Sequence, residues 1–520
     1  MHQDTLTLGE TLAAQARLAP DIVSIRDLSR AMTNRLWNAR ACRLANGLMG
    51  LGLAKGDRVG VLAYNCVEWA EIYAATAKAG LIAVPINFRL VANEVAFIAA
   101  NAEVAALIVQ DELAGVIEEA AGAIGVMSER IVHFGEKPCP AGWRDYEALL
   151  ANSSDREPEV PVASTDPWML MYTSGTTGNP KGAIRSHRGN AMISLVTEVE
   201  LGIRRRKDSA LLVMPMCHAN SLYFFSSFNT CGGAVSIYSR KSFDPEHALK
   251  TLSETGASFT SLVPTHYIMM LSLPEKLRAA HRCERVTKLM ISSAPARPDT
   301  KRAVMEMFPN SGLFELYGST EAGWVTMLHP DEQFTKLGSV GRECVGSGAI
   351  RLLDGAGNEV PDGDTGELFS LNPYTFDGYW KLPDKTAEAF RDHHCTVGDM
   401  ARRDEDGFIW LVDRKKNMII SGGENVYPSE VENALGAHAA VKDVAVVGLP
   451  DEKWGERVHG VIVLHENMTI SEADLIAFAR DRLAGYKRPR SVSFIADHDM
   501  PRTATGKIQH RILKQRLSGA

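Results

Sequence analysis

No Cys-x-x-Cys pair occurs among the eight cysteines, at positions 42, 66, 139, 217, 231, 283, 344 and 395. That spacing excludes thiolate zinc sites and dithiol redox motifs, and leaves reduced, mostly buried thiols of the kind expected in a cytoplasm. Long hydrophobic runs are also missing. The most apolar stretch, residues 67–85, is broken by Glu68, Glu71 and Lys78, so no membrane span is expected. There is no excess of positive charge: Lys and Arg number 56 against 63 Asp and Glu, and a net charge of -7 makes a poor nucleic-acid binder. Basic runs such as Arg204-Arg205-Arg206-Lys207 are short and read as solvated surface turns. Met1-His2-Gln3-Asp4 lacks the basic-then-apolar pattern of a leader, and Leu517-Ser518-Gly519-Ala520 is neither a prenylation nor a peroxisomal tail. No repeat of solenoid period is present.

What is there is a chain of 520 residues with 45% hydrophobic and 23% charged residues, the balance of a soluble protein with two or more cores. Its first part alternates strand and helix patterns. Strands are predicted over 57–63, 82–85 and 105–109, with helices over 68–79 and 94–101, and Gly80 ends the first helix. That order argues for βαβ units around a largely parallel sheet. Residues 151–166, rich in Ser, Pro, Asp and Glu, read as a loop before a strand over 168–172. Hairpin signals follow at Leu353-Asp354-Gly355 and Asp404-Glu405-Asp406-Gly407. Beyond residue 418 comes a compact pattern: helices over 429–435 and 472–483, strands over 444–447 and 458–464. The charged run Asp413-Arg414-Lys415-Lys416 is the natural hinge before it; composition alone equally allows one continuous domain with a surface turn there.

The richest segment is Tyr172-Thr173-Ser174-Gly175-Thr176-Thr177-Gly178-Asn179-Pro180-Lys181-Gly182. Glycines let the backbone curl so that successive N–H groups face an anion. Thr173, Ser174, Thr176 and Thr177 add hydroxyl donors, and Lys181 adds a positive charge. It is not a Walker loop, because Pro180 precedes the lysine and Gly182 follows it.

This segment resembles the signature loop of the adenylate-forming superfamily, which comprises acyl-CoA synthetases, adenylation domains of peptide assembly lines and beetle luciferases. The resemblance continues in order along nearly the whole chain. It includes Ala79-Gly80 with Val84-Pro85, Met214-Pro215-Met216-Cys217-His218, Ser293-Ala294-Pro295 and Glu315-Leu316-Tyr317-Gly318-Ser319-Thr320-Glu321. Gly398-Asp399, Asp413-Arg414, Ser421-Gly422-Gly423-Glu424-Asn425 and Pro501-Arg502-Thr503-Ala504-Thr505-Gly506-Lys507 complete it. It implies an α/β fold with a large N-terminal domain of βαβ-type sheets and a β-rich subdomain over 1–413. A small α+β C-terminal domain on a hinge, over 414–520, would complete the fold.

Roles follow from the resemblance. Thr173 to Gly178 and Lys181 would hold the β- and γ-phosphates of ATP. Ala294, Pro295, Glu315, Leu316, Tyr317 and Gly318 would line the adenine, with Tyr317 offering a flat face. Asp399 would accept the ribose hydroxyls and Arg414 donate to them. Glu321 would ligate Mg²⁺ and Thr320 would reach the α-phosphate. Lys507 would bridge the acyl carboxylate and the α-phosphate at the transition state. His218, Asn220, Phe224, Ser293, Trp324 and Val325 would form the acyl pocket, with His218 a catalytic residue that orients the carboxylate and Trp324 limiting the pocket's length. Ser421, Gly422, Gly423 and Glu424 would form the coenzyme A passage, and Lys416 the hinge. Val397 stands where Thr is frequent, and Ser293 where Ala or Gly is frequent.

The reading is an ATP-dependent ligase that makes an acyl-adenylate and passes a medium-chain or aryl acyl group to coenzyme A in the cytoplasm. A homodimer is left open. Three alternatives remain: an amino-acid-activating or amide-forming adenylation enzyme, a luciferase-like oxygenase, and a non-catalytic nucleotide-binding relic. The intact set Lys181, Glu321, Asp399, Arg414 and Lys507 argues against the relic.

Overall fold

A computed structural model describes residues 6–173, 180–293, 296–421, 424–480, 482–502 and 507–518. The chain forms two compact units, Met1–Ala349 with Ser370–Cys395, and Ile350–Phe369 with Thr396–Ala520.

The first unit carries two large sheets. In the eight-stranded one, Arg58–Leu62 lies between Ile82–Ile86 and Val104–Gln110, all parallel, as the alternating pattern predicts. The helix Glu68–Ala79 ends on Gly80 at φ 64, a left-handed position that costs glycine nothing. The sheet continues from Ile82–Ile86 into the parallel strand Pro167–Thr173 (β1), then the antiparallel Lys181–Ser186 (β2). His187–Leu201 (α1) follows. Between the helices Asn34–Gly50 and Glu68–Ala79, Glu71 is fully buried. Arg40 meets its carboxylate through Nε at 2.7 Å and Nη2 at 3.1 Å, and the Tyr146 hydroxyl donates to it at 2.6 Å.

The nine-stranded sheet holds Ser209–Leu212 (β3), then, after Ala219–Thr230 (α2), Ala234–Ile237, Phe259–Leu262, Lys288–Ser292 (β4) and Gly312–Ser319 (β5), all parallel, and Gly323–Leu328 (β6), antiparallel to β5. Apart from the carboxyl end of β5, these strands are mostly buried, which accounts for their short apolar runs. Six of the eight cysteines are buried, and burial pushes the Cys217 and Cys395 thiols up to about 12. Such thiols stay protonated and are no nucleophiles.

The second unit contains the antiparallel pair Asp399–Arg403 (β7) and Ile409–Arg414 (β8). Ile419–Ser421 (β9) and Glu424–Val426 (β10) form a hairpin, and Pro428–Gly436 (α3) follows. The long strands Val441–Asp451 (β11) and Gly455–Leu464 (β12) pair antiparallel, and His510–Ser518 (α4) packs on β11. The predicted helix over 472–483 is shorter, Glu472–Phe478. Arg482 donates to Phe478 O at 3.0 Å, and Arg488 donates to Leu483 O and Arg480 O at 2.9 and 3.0 Å. Those carbonyls are satisfied by arginines, and the chain continues in turns. No helix of the described residues is long and apolar enough to cross a membrane.

Candidate active site

The hydroxyl- and glycine-rich segment joins two antiparallel strands, since Thr173 at the end of β1 pairs with Lys181 at the start of β2. Ser174, Gly175, Thr176, Thr177 and Gly178 lie outside the described residues. Thr173, before that segment, and Tyr379 converge on Glu321. Thr173 Oγ1 donates to Glu321 Oε1 at 3.3 Å, and the Tyr379 hydroxyl donates to the same oxygen at 2.9 Å. Lys181 Nζ rests 3.9 Å above the Tyr379 ring. A cation, a hydroxyl and a carboxylate thus meet where the loop leaves and rejoins the sheet. No group of three or more His, Cys, Asp or Glu converges among the described residues.

Arg185 and Tyr379 have no counterpart in the sequence reading. Arg185, on β2, is 1% exposed. Its Nη1 donates to Thr320 O at 3.3 Å and Glu321 O at 3.1 Å, so a buried guanidinium holds the turn between β5 and β6 from behind. That turn is tight. A Cβ on Gly318 would lie 2.2 Å from Gly323 O, which only glycine avoids. On β5, Glu315 and Leu316 are buried, Tyr317 is half-buried and Gly318 is exposed. Glu315 pairs with Lys301, and burial pushes its carboxyl up while the ammonium opposes the shift. Its side chain is committed to that pair. Thr320 is half-buried.

The expected acyl residues gather at the carboxyl ends of β3 and β4, around α2 and β6. Asn65 shapes the approach: it donates to Met214 O at 3.1 Å and accepts from Met216 N at 2.8 Å. His218 caps the start of α2. Asn220 donates to Ser292 Oγ at 3.0 Å and accepts from Ser261 Oγ at 3.1 Å. Ser293, just past β4, has φ 70, a left-handed strain of about 1 kcal/mol or more for a residue with a Cβ. Ala294 and Pro295 lie outside the described residues. Val325 and Trp324 are buried on β6. Trp324 Nε1 donates to Thr197 Oγ1 at 2.8 Å, and its ring meets Tyr223 edge-on at 5.2 Å and Phe224 at 5.4 Å. It is locked in place by a hydrogen bond and two rings.

In the second unit, Asp399 and Arg414 are cross-strand partners, with Arg414 Nε 2.5 Å from Asp399 Oδ1. Lys507 is exposed to solvent. Surrounding protein and then the Arg414 guanidinium lower its ammonium from its ordinary value, while Asp399 acts the other way. Lys416 sits exposed in the turn after β8, where Asn417 N donates to Arg414 O at 2.9 Å. Ser421 and Glu424 pair across β9 and β10; Gly422 and Gly423 lie outside the described residues.

Two family descriptions fit the chain: "AMP-binding enzyme" over residues 12–380 and "AMP-binding enzyme C-terminal domain" over 430–507. A feruloyl-CoA synthase of Amycolatopsis sp is 35% identical over 515 residues, covering 98% of this chain and 99% of that protein. The long-chain-fatty-acid–CoA ligase FadD13 of Mycobacterium tuberculosis is 32% identical over 530 residues, with 98% of each covered. The structure of the anthranilate CoA ligase AuaEII in complex with anthranoyl-AMP superposes with a TM-score of 0.88 at 26% identity, over 98% of this chain and 97% of that one.

Proposed function

The chain belongs to the AMP-binding enzyme family and is an AMP-forming acyl-CoA ligase that works through an acyl-adenylate, and from that premise we propose which residues do the chemistry and which acids it takes. The observation that carries the site assignment is the convergence of Thr173 and Tyr379 on Glu321, with Lys181 resting over the Tyr379 ring.

Adenylation brings a carboxylate against the α-phosphate of ATP, so two anions must be held together in line. Thr173, the loop Ser174–Gly178 and Lys181 receive the β- and γ-phosphates. Glu321 ligates Mg²⁺, which neutralises phosphate charge when bound. Thr320 serves the α-phosphate, its backbone fixed by Arg185. Tyr317, Leu316, Gly318, Ala294 and Pro295 receive the adenine, with Glu315 contributing through its main chain. The Asp399–Arg414 pair binds the ribose. Lys507 stabilises the charge that passes between carboxylate and phosphate. Coenzyme A then accepts the acyl group by way of Ser421, Gly422, Gly423 and Glu424. Lys416 is the pivot of a C-terminal domain, 414–520, that turns against 1–413 between the two half-reactions. The working assembly is a monomer or homodimer, which light scattering distinguishes.

Similarity does not select the acid, since aryl and long-chain ligases match almost equally well. The pocket does. Trp324, braced by Thr197, Tyr223 and Phe224, is a rigid aromatic wall, and it favours medium-chain or aryl acids. Trp324→Ala is expected to shift kcat/KM toward bulkier acids by about 1 kcal/mol per added buried methylene, measured over an acid series. Palmitate as the best substrate of the unaltered enzyme would overturn the assignment. The reaction itself is tested by acid-dependent pyrophosphate release across a panel of carboxylates. AMP release that accelerates on adding coenzyme A is expected. Release that ignores coenzyme A would point to an amine or a carrier-protein thiol as acceptor.

A further inference from the structure

The segment that carries Lys507 is clasped at its base. Arg502 and Ile508 pair across it in an antiparallel bridge, Gln509 N donates to Pro501 O at 2.8 Å, and Gln509 Nε2 donates to Arg502 O at 2.9 Å. One strand of the clasp is anchored by Arg502 on Asp443 and Asp497. The other runs straight into α4, whose first residue is His510, three positions after Lys507. His510 Nε2 lies 2.6 Å from Glu432 Oε1 on α3, and that same oxygen accepts Val446 N of β11 at 2.8 Å. Both side chains are about four-fifths buried. The start of α3 is in turn fixed to the end of β8, where Ser429 N donates to Asp413 Oδ2 at 2.8 Å.

We propose that His510 is a positioning residue for Lys507: its bond to Glu432 pins the C-terminal strand of the clasp to α3 and so fixes where the ammonium is delivered during acyl-adenylate formation. This rests on the adenylation role assigned to Lys507 above. The charged groups facing His510 are Glu432 from α3 and Asp413 from the end of β8; β11 contributes only the Val446 amide. Burial lowers the imidazole's pKa, but the two carboxylates and the Ile508 backbone outweigh it, and the net shift is upward. A base raised in this way is fully protonated below its ordinary pKa and lets go as pH rises through the raised one. The charge-assisted bond is then replaced by a weaker neutral one. The latch is therefore tight below the imidazole's ordinary pKa and slackens as pH rises through the raised one.

Single-turnover acyl-adenylate formation and, separately, thioester formation from preformed acyl-adenylate are measured across pH for the full chain. The unaltered enzyme is expected to lose adenylation rate above roughly pH 6.5, with thioester formation unaffected by the latch. His510→Gln should adenylate roughly tenfold slower and show no inflection in that range. His510→Arg, charged throughout, should restore the rate and keep it past the inflection. Glu432→Gln should resemble His510→Gln. A His510→Arg enzyme that keeps the original inflection would overturn the proposal. So would His510→Gln losing both half-reactions equally together with a lowered melting temperature, because that is plain structural damage. Lys507→Ala is run beside them. If it adenylates normally, the role of Lys507 falls and the latch with it. If it fails while the His510 variants are normal, only the latch falls.

Discussion

Lys507→Ala is expected to slow acyl-adenylate formation by roughly 10²–10³-fold, the usual cost of removing one electrostatic contact made in the transition state. Given preformed acyl-adenylate and coenzyme A, the same variant should form thioester at nearly the original rate. The reasoning is differential. The ammonium matters only while a carboxylate and a phosphate share charge, and no such pair exists once the acyl-adenylate meets a thiol. Lys507 is exposed, so its truncation leaves no cavity and opens no core. Loss of both half-reactions with an unchanged melting curve would refute the division of labour. Rapid-quench assays of each step separate the outcomes.

The largest effect on stability is expected at Arg40. Glu71 is fully buried, and Arg40 is the cation that makes its charge tolerable. Arg40→Leu strands that carboxylate, and breaking a buried pair from one side costs about 3–5 kcal/mol. Burial already raises the Glu71 pKa, and losing Arg40 raises it further. A carboxyl with a raised pKa binds its proton more readily when folded, so the deficit should shrink as pH falls toward that value. Removing both partners, Arg40→Leu with Glu71→Leu, should recover much of the loss, although Tyr146 then lacks an acceptor. Thermal melting of the three variants at two pH values checks this. A double variant no more stable than Arg40→Leu would contradict it.

The local rules of the chain were legible from its residues. Buried parallel strands wrote themselves as short apolar runs, and Gly80 marked its helix end through the one backbone conformation that glycine adopts freely. What the residues did not reveal depends on distant segments meeting. Tyr379 is 58 positions from Glu321, and Arg185 is 136 positions from it. No periodicity in either neighbourhood announces the contact. Glu315 illustrates the converse. It stands within a nucleotide motif, yet its side chain is taken by Lys301, a partner supplied by the preceding helix, Pro298–Met307. Trp324 was readable as bulk, but the Thr197 hydrogen bond that makes it immobile was not.

The hairpin between β1 and β2 has a consequence for how charge is balanced. A loop that feeds directly into a helix lends bound phosphate about half a unit of positive charge from the helix end. Here the segment returns into a strand, and α1 begins only after the six residues of β2, about 20 Å further along at roughly 3.3 Å per residue. At that range a helix dipole contributes almost nothing. On the phosphate role proposed above, Lys181 is the one cationic side chain that residues 173–182 bring. On that proposal a triphosphate, with several negative charges, would bring most of its neutralisation with it as a metal chelate, whereas AMP, with a single phosphate, would leave without one.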